Sequence, residues 1–101
     1  MEIFDVHAIK AFSEKEKNVF YKTNEFKMRI IELDLNQELP DCEMKSYVIF
    51  FLIVGAVEVT VNSVKNILNE GQCLVSEPAL FSMKAIENSR LVGIQINKQN
   101  N

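Results

Sequence analysis

Residues 47–61 read YVIFFLIVGAVEVTV. An unbroken apolar run leads to Gly55, after which Val57, Val59 and Val61 alternate with Ala56, Glu58 and Thr60. The first half predicts a strand covered on both faces, and the second a half-exposed strand with period two. Gly55 falls where the chain must bend between them, since glycine takes the required backbone angles without steric cost. The apolar run is far shorter than the roughly 20 residues of a membrane-spanning helix.

Working outward, Asn62-Ser63 reads as a hairpin turn into a strand at 64–68. Residues 69–71 form the next turn, followed by a strand at 72–76 and an interruption at Pro78. Strands at 80–86 and 90–97 flank a turn at 87–89. Before the central pair, residues 36–46 are the most polar interval, and Pro40 breaks any regular ladder there. A short strand at 18–22, a turn at Thr23-Asn24 and a longer strand at 26–35 precede it. Met28 and Ile30 share one parity of that strand while Ile31, Leu33 and Leu35 share the other, which implies either a bulge near Ile30 or cover on both faces. Near the start, Asp5 is placed to cap a short helix through Phe12 that presents Val6 and Ile9 on one face. Ser13 and Glu16 have capping-box spacing. Many short strands at regular turn spacing, with no linker or repeat, predict a single all-β sandwich or barrel. The expected division is an N-terminal segment at 1–18 packing on the barrel or a partner, a barrel at 19–97 and a frayed tail at 98–101.

The 101 residues are 48% hydrophobic and 25% charged, enough apolar content for one independently folding core. A net charge of −3 with singly scattered basic residues argues against nucleic acid and anionic membrane as partners. The opening MEIFDVHAIK lacks the basic and apolar regions of a secretory signal. Cys42 and Cys73 have no metal-like spacing, so reduced thiols in a cytoplasmic protein are expected.

Two segments resemble the motifs of the cupins. PDCEMKSYVIFFLIVGAVEVTV (40–61) resembles the first, in which HxH, three or four residues, Glu, six residues and Gly precede a V-x-V strand. GQCLVSEPALFSMKAIENSRLVGIQI (71–96) resembles the second, in which Gly, five residues, Pro-x-Gly, two residues and His begin the last strands. The resemblance spans residues 19–97. It implies a cupin-type jelly-roll β-barrel, open at one end and usually dimeric, here preceded by a short helical or extended segment. It also fixes where the family's metal ligands would fall. Counted back from Gly55, the glutamate position is Val48 and the two histidine positions are Cys42 and Met44, or Asp41 and Glu43 in the four-residue spacing. The first register is adopted because cupins commonly place Pro-x before the first histidine, as Pro40-Asp41 does here. The gap-free count from Gly71 puts the third histidine position on Ser82, and the count from Pro78 puts it on Met83. The gap-free count keeps the following turn in register and is adopted. No histidine stands at any of these positions, and the only one in the chain is His7.

A family-type site needs imidazoles and a carboxylate, which Cys42, Met44, Val48 and Ser82 do not supply, so no metal and no cofactor are expected. Substitute sets are a soft cluster of Cys42, Met44 and Met83, suited to monovalent copper, and a hard-cation set of Asp41, Glu43 and Ser82. A metal-free isomerase needs a lumenal histidine base with a tyrosine acid, and His7 lies outside the motifs while Tyr21 and Tyr47 are strand residues. A Cys42 or Cys73 nucleophile needs a neighbouring base; Lys45 and Glu43 are near Cys42 in sequence, but no triad is visible. The expected pocket is therefore Cys42, Met44, Val48 and Ser82, lined further by Phe50, Leu80 and Met83. The expected function is a small-ligand-binding or regulatory barrel without family-type metalloenzyme activity. The alternatives are an enzyme, metal-dependent through substitute ligands or a metal-free isomerase, and a purely structural dimerisation module. A homodimer is expected because the central strand is apolar on both parities: Val48, Phe50, Leu52 and Val54 face the lumen, while Tyr47, Ile49, Phe51 and Ile53 need cover.

Overall fold

The computed structural model describes residues 1–13 and 18–97, so the 98–101 tail and the Glu16 end of the capping spacing lie outside the described residues. The strands are β1 (Val19–Lys22), β2 (Phe26–Leu33), β3 (Glu38–Met44), β4 (Tyr47–Val54), β5 (Ala56–Val61), β6 (Val64–Asn69), β7 (Cys73–Ser76), β8 (Ala79–Ala85) and β9 (Ser89–Ile96). They form two sheets, β1-β2-β9-β4-β7 and β3-β8-β5-β6, with every pairing antiparallel. This is the jelly-roll barrel that the resemblance to the cupins implies. Among the described residues no helix is long and apolar enough to cross a membrane.

The chain passes from one sheet to the other at Gly55, whose φ is +99°. Ser89 closes this corner. Its buried hydroxyl accepts from the Ala56 amide at 3.1 Å and donates to the Glu87 carbonyl at 2.8 Å. The β5–β6 hairpin turns through Asn62 and Ser63, both at positive φ, as a two-residue type I′ turn requires. Between the sheets, alternate residues of facing strands meet in one core that includes Leu52, Val57, Val59, Leu68 and Leu91.

Two expectations change, and the alternative left open for β2 is decided. First, 36–46 is not a ladder-free interval: Glu38–Met44 is a strand. It lies at a sheet edge with only β8 beside it, and its register shifts between Leu39 and Cys42, leaving Pro40 and Asp41 in a bulge. An edge and a bulge are where a sheet tolerates a residue without an amide donor. Second, β2 has no bulge near Ile30, since its register with β9 is unbroken from Phe26↔Ile96 to Leu33↔Ser89. Both its faces are covered, and the strand stops at Leu33, leaving Leu35 exposed.

Third, the N-terminal segment is extended after a single turn. Asp5 caps that turn: its carboxylate accepts from the His7 amide at 3.0 Å, and its carbonyl from the amides of Ala8 and Ile9. A helix through Phe12 would use the Val6 carbonyl internally and leave that of Ile9 open in its last turn. Here both accept hydrogen bonds from the Arg90 guanidinium, which also pairs with Glu32. Val6, Ile9 and Ala11 are thereby held against Ile30, Ile53 and Val92 on the outer face of the larger sheet. The apolar contacts and the Arg90 bonds together outweigh the intrinsic preference for a helical turn.

Candidate functional site

The site follows from which parity of each strand faces inward. On β2 the inward residues include Arg29 and Ile31, on β9 Gly93 and Gln95, and on β4 Val48 and Phe50. On the opposite sheet they are Leu39, Cys42 and Met44 of β3 and Phe81 and Met83 of β8, as the register pairs Leu39↔Met83, Cys42↔Phe81 and Met44↔Ala79 show. The Phe50 and Phe81 rings meet edge to face across the lumen, 5.7 Å apart at 67°. On one side of them the lumen is packed with side chains; on the other is a cavity of about 230 Å³ lined by residues of β2, β3, β4, β8 and β9. The barrel is thus plugged in its deep half and open at its mouth.

Cys42, Met44, Val48, Phe50 and Met83 all line this cavity. The Cys42 thiol lies 3.6 Å from the Met44 sulfur, consistent with residues two apart sharing a face. Two expected residues sit differently. Leu80 is on the outward parity of β8 and is 45% exposed, so it does not fill the lumen. Ser82 touches the cavity's edge, but it alternates with buried Phe81 and Met83 and pairs with Thr60 on the outer face of the smaller sheet. A shift of one residue along a strand moves a side chain to the other face. The lumenal residue of this pair is Met83, so the count from Pro78, not the gap-free count, matches the strand's geometry. Val54 also departs from expectation: a register shift between Leu52 and Val54 leaves it exposed.

Among the pocket residues that escape motif reading are Arg29, Gln95 and Gly93. The signal that reveals Arg29 is its parity, a cation on the face of β2 that it shares with Ile31 and Leu33. Gly93 matters for what it lacks, since a Cβ there would stand 3.2 Å from Phe50 Cε1 and 3.3 Å from Ile31 Cδ1. Arg29 makes no hydrogen bond or ion pair with a described residue. Lys27, two residues along the same face, has its pKa lowered, by burial first and then by the charges of Arg29 and Lys22. Three cations, Lys22, Lys27 and Arg29, are thus neighbours along β1 and β2. Asp41, on the exposed bulge of β3, is the acidic residue at the rim.

The inward side chains do not suit the metal that cupin motifs commonly hold. Thiol, thioether and isopropyl groups stand at Cys42, Met44 and Val48, and a thioether at Met83. Among the described residues no three of His, Cys, Asp and Glu converge as a metal-binding group. His7 is exposed in the N-terminal turn, outside the barrel. A broader depression, about 740 Å³, crosses the outer face of β3, β5 and β8, but Glu38, Glu58, Lys65 and Lys84 rim it without an enclosing apolar wall.

No protein-family model and no curated protein matches the sequence. Solved structures match the fold. KdgF from Halomonas sp. aligns with a TM-score of 0.82 over 99% of this chain and 96% of that one, at 15% identity. An RmlC-like cupin from Desulfovibrio desulfuricans aligns with a TM-score of 0.76 over 94% and 97% of the two chains, at 13% identity. The Cnp3 cupin domain of Schizosaccharomyces pombe aligns at 0.72 and 21% identity over 79% of this chain, which spans only 61% of that one. At such identities the likeness is one of architecture. The chain has the cupin fold.

Proposed function

We propose that this protein is a small-ligand-binding barrel without a family-type metal centre. The observation that carries this reading is the 230 Å³ lumenal cavity, walled by Ile31, Phe50, Met44 and Met83 and given polar character by Arg29 and Gln95. A concave, mostly apolar pocket with a few convergent polar groups is the usual form of a small-molecule site. Its size suits a compact molecule, since a cavity of about 150 Å³ already accepts benzene. The test is a panel of small acids, alcohols and amides, followed through the methyl resonances of Met44 and Met83. Met28, on the outer parity of β2, is the internal control. Several members should shift the lumenal methyls saturably, and Cys42→Trp, which fills the mouth, should abolish the shifts. A panel in which no member moves Met44 or Met83 sinks the reading.

The protein acts as a homodimer in this proposal. The support lies on the outer face of the larger sheet, where the N-terminal segment covers Ile30, Ile53 and Val92 but leaves a row beyond them bare. Tyr47 is 50% exposed, Phe51 41% and Val75 67%, on the adjacent strands β4 and β7. Apolar surface in neighbouring rows favours burial against a second copy. Light scattering coupled to gel filtration should give twice the chain mass, and Phe51→Glu should halve it. A parent protein that runs as a monomer at micromolar concentration contradicts this. A cytoplasmic location is part of the same proposal, supported by two exposed free thiols, Cys42 and Cys73. Recovery of a tagged chain from any other cell fraction is the opposing result.

A further inference from the structure

We propose that the lumenal cavity selects small monocarboxylates with a compact apolar body, the carboxylate being held by Arg29. The inference rests on the ligand-binding reading above and names the class of molecule. Arg29 projects from the inward face of β2 opposite Gly93, whose missing side chain keeps the floor between Arg29 and Phe50 low. Its guanidinium has no hydrogen-bonded or ion-paired acidic partner among the described residues, although it stands at a cavity lined mostly by carbon and sulfur, with Gln95, Ser82 and Asp41 as its other polar residues. A planar, permanently charged fork of donors matches a carboxylate in two parallel bonds, which a neutral ligand cannot offer. Lys27 adds a second positive charge on the same face, so an anion relieves repulsion between cations as well as filling the site. Gln95, across from Lys27, supplies a neutral donor at the same end. Asp41 lies on the opposite wall, on an exposed bulge that also borders the outer depression, so water screens it.

The rest of the cavity sets the body of the ligand. Ile31, Phe50, Met44 and Met83 form a soft wall with no charged group at its base. Methionine adapts to irregular shapes, so a branched chain and a single ring are both accommodated. A long acyl chain is excluded by the Phe50–Phe81 contact, which closes the route deeper into the barrel.

The test uses 4-methylpentanoate and benzoate, their neutral amides, and leucine, which is the first acid with an added α-ammonium group. Methyl resonances of Met44 and Met83 report on the lumen, with Met28 as control. Both carboxylates should bind at least about tenfold more tightly than their amides, the gain expected of a charge-assisted bond to a carboxylate. Leucine should bind more weakly than 4-methylpentanoate, because its ammonium group enters beside Arg29 and Lys27. Arg29→Gln should reduce carboxylate affinity to that of the amides while leaving melting temperature unchanged. Amides that bind as tightly as the acids, or leucine that binds more tightly than either, overturn the carboxylate class but leave the pocket standing. If no probe of any charge moves Met44 or Met83, the pocket reading falls and this inference with it.

Discussion

Gly55→Ala should cost the barrel about 4 kcal/mol and lower its melting temperature by roughly 15–30 °C, as judged by the strain of a non-glycine residue in this region, overpacking of the corner and the usual conversion for a domain of this size. Two separate effects add here. Gly55 has φ +99°, a conformation L side chains rarely adopt. A Cβ there would also stand 2.3 Å from Ser89 Oγ and 2.5 Å from the Asn88 carbonyl oxygen, and backbone cannot withdraw as a flexible side chain can. Displacing Ser89 breaks the bonds by which its hydroxyl holds the Ala56 amide and the Glu87 carbonyl. Gly71 provides the control. Its φ is +82°, but nothing lies within 4 Å of an added Cβ. Gly71→Ala should therefore cost only the conformational part, about 1–2 kcal/mol. Chemical denaturation of both variants separates the terms, and equal losses would show that the Gly55 corner is not crowded.

The second large effect is gained rather than lost. Cys42→His, Met44→His, Val48→Glu and Met83→His together place three imidazoles and a carboxylate around one cavity, a donor set suited to divalent manganese, iron, nickel or zinc. Without metal this variant should be several kcal/mol less stable than the parent, because polar groups then replace buried apolar ones. Metal binds only the folded state, so a concentration a thousandfold above the dissociation constant should return about 4 kcal/mol. That corresponds to a rise of roughly 15–30 °C in melting temperature. The companion variant with Ser82→His in place of Met83→His should bind much more weakly, because position 82 alternates onto the outer face where it pairs with Thr60. Calorimetric melts with added zinc or nickel decide the matter. If the Ser82→His version binds more tightly, the inward parity of β8 has been misassigned.

These two designs show which features the sequence carries openly. Strand order, turns and the sheet-to-sheet bend at Gly55 are legible because glycines, prolines and turn pairs punctuate an alternating apolar pattern. The strand at Glu38–Met44 is not legible, because its bulge at Pro40-Asp41 breaks the alternation and its edge position leaves most of its residues exposed. Position 82 against 83 is a matter of one residue in a count, and only pairing with β5 fixes the parity. Val48, Cys42 and Met44 are found by motif spacing, whereas Arg29 and Gly93 need the β2–β9 register that sets them opposite each other. The extended N-terminal segment is decided by Arg90, more than 80 residues away in sequence, which takes the Val6 carbonyl that a helix would use and the Ile9 carbonyl beside it. Local propensity cannot report such a contact.

The central proposal is a lumen that takes a small molecule without a transition metal. The direct measurement is elemental analysis of the purified native protein, grown in metal-replete medium and isolated without chelators or affinity resins that carry metal. Thiol, thioether and isopropyl groups at the inward positions predict iron, manganese, nickel, copper and zinc all far below stoichiometric. Close to one equivalent of any of them per chain, removed by a chelator with loss of thermal stability, would contradict it.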